Sequence, residues 1–218
     1  MNNSHQYNPS WNPNWFLSVI LDNHIDAMVA RYSCLLTLRL DFFYKKDTPR
    51  YLHQDHHALE RDLRLLMNKM MQKAAIVGYF WVIEWTADHG FHAHAAYWLD
   101  GHQTQRSYPF AQQAGEFWKQ LTQQEGYFNI CQFKEPYKAD INIPVRYNEP
   151  ACILNIRRVL SYLTKEEQKE GSVHTDEMKS HNVQCQGGLV KRWALFLKIS
   201  TEPFNRLFHK HIERLAGI

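Results

Sequence analysis

Two short groups of residues in this chain are of types that could act together on a phosphate ester. His92 and His94 flank Ala93, with Glu84 upstream of them. Tyr162 and Lys165 stand well downstream, in Ser161-Tyr162-Leu163-Thr164-Lys165. Two imidazoles and a carboxylate suit a divalent cation such as Mn²⁺, or less comfortably Mg²⁺, with positions left open for phosphate oxygens. A phenol with an ordinary pKa of about 10 can attack phosphorus if nearby charge helps its proton to leave. Each half is common alone: an isolated His-x-His is usually an ordinary sheet pair, and a lone Tyr-x-x-Lys a boundary tyrosine with a snorkelling lysine. Their order in one chain is the informative feature.

The histidines need a strand. Val77 to Ala87 and Phe91 to Leu99 are rich in aromatic and β-branched residues and read as two strands joined by a turn. Alternate side chains of a strand share a face, so His92 and His94 point the same way. Asp88-His89-Gly90 suits a three-residue hairpin with Gly90 in the left-handed position. That register sets Thr86 opposite His92 and Glu84 opposite His94. Cross-strand partners have Cβ atoms about 4.5–5.5 Å apart, so the three groups converge. A two-residue loop would instead put Glu84 opposite Ala95 and turn it to the other face. A carboxylate following Phe80-Trp81-Val82-Ile83 is a costly choice without a partner. The second His-x-His, His209 and His211, falls in a predicted helix, where residues two apart diverge. It reads as surface, as do His53, His56 and His57 around a helix start.

Tyr162 needs a helix. Ile156, Val159, Leu160 and Leu163 form an i, i+3, i+4, i+7 stripe within a predicted helix from Ala151 to Lys169. Arg158, Tyr162 and Lys165 lie along its polar flank, which sets a phenol between two cations.

The remaining elements build a scaffold for these two. Trp15 to Arg31 reads as a helix of imperfect register. Leu35 to Phe43 alternates as a strand, Leu36, Leu38, Leu40 and Phe42 on one side and Thr37, Arg39 and Asp41 on the other. Asp55 caps a helix carrying Leu59, Leu63, Leu66, Met67 and Met70. Ser107 and Pro109 open another, with Phe110, Ala114, Phe117, Trp118 and Leu121 inward. Phe128 to Phe133 and Ile141 to Tyr147 are further strands. Gly171 to Gly188 reads as a polar loop, Val190 to Ile199 as a strand or helix, and Thr201 caps a last amphipathic helix. The expected fold is α+β: a central antiparallel sheet of about five strands in the order β-α-β-β-α-β-β-α, with helices packed on it and helical additions at both ends.

The 218 residues divide into a flexible arm, 1–14, and a single domain, 15–218, whose core spans about 32–170 with a C-terminal extension at 171–218. A hydrophobic content of 44% excludes wholesale disorder, and a net charge of +3 permits a phosphate-binding groove without demanding one. The cysteines (Cys34, Cys131, Cys152 and Cys185) include no Cys-x-x-Cys pair, and no secretory signal or membrane-length apolar stretch is visible, which points to a reduced, cytoplasmic protein with no membrane partner.

Taken in order, Glu84, Phe91-His92-Ala93-His94-Ala95 and Tyr162-Leu163-Thr164-Lys165 resemble the HUH endonucleases, and most closely the replication initiators of filamentous phages (inoviruses). The stretch Ile25 to Phe43 resembles that family's opening helix and strand, and the likeness covers about residues 20–170. The resemblance implies an RRM-like sheet presenting a metal hairpin beside a tyrosine helix. Glu84, His92 and His94 would hold Mn²⁺ or Mg²⁺, and Tyr162 would attack a scissile phosphate to leave a 5′-phosphotyrosine link and a free 3′-hydroxyl. Lys165 would steady the charge. The implied activity is a metal-dependent nickase and strand transferase that starts rolling-circle replication at a phage- or plasmid-type origin.

The implied partners are single-stranded or hairpin origin DNA, a host helicase and replication proteins. The chain has one tyrosine in that motif, with Arg158 where a second nucleophile might sit, and no Gly-x-x-x-x-Gly-Lys loop, so unwinding is borrowed. Arg39, Arg158, Lys165, Lys191, Arg192 and Lys198 are candidate contacts to the DNA backbone, and Trp85 and Trp98 candidate stacking platforms. A relaxase or a single-tyrosine transposase would use the same chemistry. A non-catalytic DNA-binding regulator or a zinc-stabilised interaction domain would keep the fold without it.

Overall fold

The computed structural model describes residues 13–53, 55–133 and 139–165. Strand alternation decides its layering. β1 (Cys34–Tyr44), β2 (Ile76–Thr86), β3 (Gly90–Asp100) and β4 (Gly126–Ile130) form an antiparallel sheet in the order β2-β3-β1-β4, and the short β5 (Val145–Arg146) pairs with the start of β1. Leu38, Leu40 and Phe42 of β1, Ala93, Ala95, Tyr97 and Leu99 of β3, and Tyr79 and Trp81 of β2 point to one side. There they bury against α3 (His56–Met70) and α4 (Tyr108–Leu121) through Leu59, Leu63, Leu66, Met67, Ala114 and Trp118.

The opposite side carries Phe80, Val82, Ala96 and Trp98. These bury against Ile20, Leu21, Ile25 and Met28 of α1 (Trp15–Arg31) and Ile156 and Leu160 of α5 (Pro150–Leu160). The protein is α+β, a five-stranded antiparallel sheet with helices on both faces; a one-turn α2 (Pro49–Leu52) precedes α3. At about 25 cal/mol per Å² of apolar surface, these two layers are the dominant stabilising contribution.

The first helices start at their sequence signals. Asn14 caps α1 by accepting from the Leu17 backbone N–H, and Asp55 caps α3 by accepting from that of His57. The imperfect register of α1 has a physical source: its buried stripe includes a histidine. His24 is fully buried and accepts a hydrogen bond from Trp98 Nε1 at 2.9 Å, and burial lowers its pKa to about 4, so it stays neutral. Arg157 on α5 joins the two helices by reaching Asp22, at 2.5 Å, and Asp26 on α1.

Two expectations are corrected. The strand expected over Ile141 to Tyr147 shrinks to Val145–Arg146, because Asp140 Oδ1 accepts from the backbone and side chain of Asn142 and holds a local turn instead. Pro144 then has no N–H to offer a ladder. The helix expected to run to Lys169 ends at Leu160, and residues 166–169 lie outside those described. Ser161–Thr164 tighten into a 3-10 turn, where Thr164 accepts from the Asn14 backbone N–H at 2.7 Å and Lys165 bridges Pro13. The Thr164 carbonyl is thereby taken up by the incoming segment. The loop, strand and helix expected over 171–218 lie outside the described residues.

Gly115 lets α4 lie close on the sheet: a Cβ there would meet the Phe128 ring at 2.1 Å. Gly115→Ala is expected to destabilise the fold by about 1–3 kcal/mol through overpacking, read from denaturant unfolding.

Candidate metal centre

The α1/α5 face of the sheet changes character along its strands. At one end Gly78 and Trp98 pair under α1; two rows further, Val82 lies opposite His94 and His94 opposite Asp41; beyond that, Glu84 lies opposite His92. The hairpin register is not the expected one. Thr86 pairs with Gly90, so Glu84 faces His92 where sequence reasoning set it against His94. The loop is Ala87-Asp88-His89, and Gly90 takes φ 62° as the first paired residue. The discrepancy is two residues along β3, and an even slip keeps every side chain on its face.

Glu84, His92 and His94 are buried, and one donor atom from each lies within 4.8 Å of the others. His92 donates Nδ1–H to the Gly90 carbonyl at 3.0 Å, which leaves its Nε2 lone pair for a ligand. His94 has carboxylates on both nitrogens, Asp41 Oδ1 at 2.5 Å from Nδ1 and Glu84 Oε2 at 3.2 Å from Nε2. The donor set fits a divalent cation. It supplies two Nε2 atoms and a carboxylate oxygen, with each imidazole held through its other nitrogen, an arrangement typical of metal-ligating histidines.

The electrostatics follow from burial and these bonds. Burial disfavours a charged His94, but its hydrogen bonds to Asp41 and Glu84 outweigh that and raise its pKa above the usual 6.5. Burial lowers that of His92, against the Gly90 carbonyl that favours its charged form. Burial also opposes ionisation of Asp41, yet the hydrogen bond and charge of His94, the Arg39 guanidinium and the Cys131 thiol hold its pKa at about 2. Asp41 is the site residue that sequence reasoning missed. The signal was present, since Asp41 falls on the polar side of an alternating strand, but its relevance depends on β1 lying beside β3.

Aromatic rings wall the site. Phe43 stacks on His92 at 5.2 Å and 15°, and Tyr127 stacks on Phe43 at 4.8 Å and 12°, its hydroxyl 3.2 Å from His89 Nδ1. Tyr162, on the 3-10 turn, meets the His94 ring edge-on at 5.7 Å. The cation over the Tyr162 ring is Arg39, whose guanidinium carbon is 4.5 Å from the centroid.

Other candidates are placed differently. Arg158 is exposed on α5, and Lys165 is half-buried at the end of the 3-10 turn. Lys191, Arg192, Lys198 and the His209/His211 pair lie outside the described residues. Trp98 is no stacking platform: it is fully buried, with its N–H on His24. Trp85 is half-buried opposite Phe91. His53 and His57 are exposed as expected, whereas His56 packs on Phe91.

No helix among the described residues is long and apolar enough to cross a membrane. Comparison with protein families, with curated proteins and with solved structures finds no match.

Three outcomes follow from the donor geometry. A cation at His94 Nε2 replaces a proton, and the folded pKa of His94 is raised; Mn²⁺ affinity measured by calorimetry should therefore rise with pH through that raised value and then level off. In the metal-free protein the sign reverses: the stability that charged His94 contributes is complete below pH 6.5 and is lost as pH rises through the folded pKa. Asp41→Asn should weaken Mn²⁺ binding by about 10- to 100-fold, while Asn129, its neighbour on β4, should tolerate Ala with little change.

Proposed function

We propose that this protein is a metal-dependent DNA nicking and joining enzyme that acts on single-stranded or hairpin origin DNA to start rolling-circle replication, in the manner of the HUH endonucleases that its motifs resemble. The observation that carries the reading is the Tyr162 ring beside His94, on the sheet face that also holds Glu84 and His92. Two sequence motifs far apart in the chain meet at one place, and an ordinary sheet histidine or boundary tyrosine has no reason to do so.

A divalent cation, Mn²⁺ or Mg²⁺, held by Glu84, His92 and His94 would supply Lewis-acid polarisation of a phosphoryl oxygen. The protein's own groups do the rest. Tyr162 Oη forms a bond to the scissile phosphorus as its proton leaves, and the bond from phosphorus to the 3′ oxygen breaks. That oxygen takes up a proton as the free 3′-hydroxyl, and the 5′ strand end stays on the tyrosine. Lys165, three residues on, steadies the charge on the phosphate. One ester replaces another, so a 3′-hydroxyl can attack the phosphotyrosine and rejoin the strand without an energy cofactor. A host helicase and replication proteins would complete the work, and the cytoplasm is the compartment that fits.

Incubation with origin single strand and Mn²⁺, followed by denaturing electrophoresis, should reveal a protein–DNA adduct. Tyr162→Phe should abolish it, and His94→Ala should reduce it by at least about a hundredfold. An adduct that persists in Tyr162→Phe would show that another residue is the nucleophile.

A further inference from the structure

We infer that Arg39 is a positioning residue for Tyr162, holding the phenol ring in place through its guanidinium face, rather than a cation that tracks the DNA backbone. The inference rests on the nicking reading for its catalytic consequence but not for its geometry.

Arg39 sits on the site face of β1, opposite Ala96, whose methyl group leaves space above the sheet. Its side chain is 14% exposed, and its Nε is buried with no hydrogen-bond partner. An arginine reaching for backbone phosphates presents its donors outward, whereas the Nε of this one is sealed and most of its side chain is covered. Its charge is met at 3.6 Å by Asp41, and its guanidinium carbon lies over the Tyr162 ring, 4.5 Å from the centre. A guanidinium is planar, weakly hydrated and stacks on aromatic rings, whereas an ammonium is a strongly hydrated point charge. The site thus uses the property that distinguishes Arg from Lys.

Tyr162 needs such support. It belongs to a 3-10 turn of four residues, a poorer hydrogen-bonded geometry than the helix before it. Arg39 lies over its ring, and the His94 ring stands perpendicular to it at 5.7 Å. Asp41 serves both neighbours, accepting from His94 Nδ1 and lying beside the Arg39 guanidinium. One carboxylate therefore connects the metal-binding imidazole to the group that holds the nucleophile.

The test uses the full chain with Arg39→Gln and Arg39→Lys. Both should lower the maximal rate of adduct formation on saturating origin DNA by about 10- to 100-fold, the loss expected of a misplaced reacting group. DNA affinity and Mn²⁺ affinity should stay near those of the unaltered protein. Either of two results overturns the inference: Arg39→Lys keeping the full rate, or the variants losing DNA affinity with an unchanged maximal rate. Should Arg39→Gln not fold, Arg39→Lys carries the same comparison. If the unaltered protein forms no adduct, the nicking reading falls and crystal structures decide the inference alone. A Tyr162 ring displaced in Arg39→Lys supports it, and one unmoved beside His94 overturns it.

Discussion

The site is organised around His94, an imidazole held between carboxylates from the two strands that flank its own. Asp41 comes from β1 and Glu84 from β2, and each meets a different ring nitrogen. Three buried ionisable groups in contact would be expensive singly; together each satisfies another, and breaking such a buried set by removing one partner costs about 3–5 kcal/mol. This arrangement requires β3 to lie centrally between β1 and β2, and the strand order provides that.

The same sheet face performs two tasks. Under α1 and α5 it is apolar, and Phe80, Val82, Ala96 and Trp98 anchor the helices there. Beyond the helices it is polar and walled by the stacked rings of His92, Phe43 and Tyr127. The helices thus stabilise one end of this face, and Glu84, His92 and His94 gather, buried, at the other. Arg157, through Asp22 and Asp26, fixes α5 to α1 and so sets the position at which the 3-10 turn delivers Tyr162. The Thr164 carbonyl at the end of that turn accepts from the Asn14 backbone N–H.

Much of the fold was legible because the interactions involved are local. Alternation in β1, the aromatic and β-branched runs of β2 and β3, the Asp55 cap and the Leu59-to-Met70 stripe each depend on neighbours a few residues away, and their boundaries fall within a residue or two of expectation. Local competition that is weakly encoded was harder to read. The Asp140 turn displaced a strand, and the helix expected to run to Lys169 ended at Leu160. The hairpin register was misread by two residues, and the grouping of Glu84, His92 and His94 survived because the pleat repeats every second residue.

The amino-acid sequence by itself determined which residues could bind a cation, that His92 and His94 share a face of their strand, and which positions of the helices are apolar. Periodicity and side-chain chemistry are properties of the local chain, so these were readable from it. Only the tertiary structure decided that Asp41 supports His94, that Arg39 rather than Arg158 lies over Tyr162, and that Trp98 is sealed against His24. Those three depend on which strands are neighbours and where a helix stops, and both are settled by long-range packing that no short stretch of residues encodes.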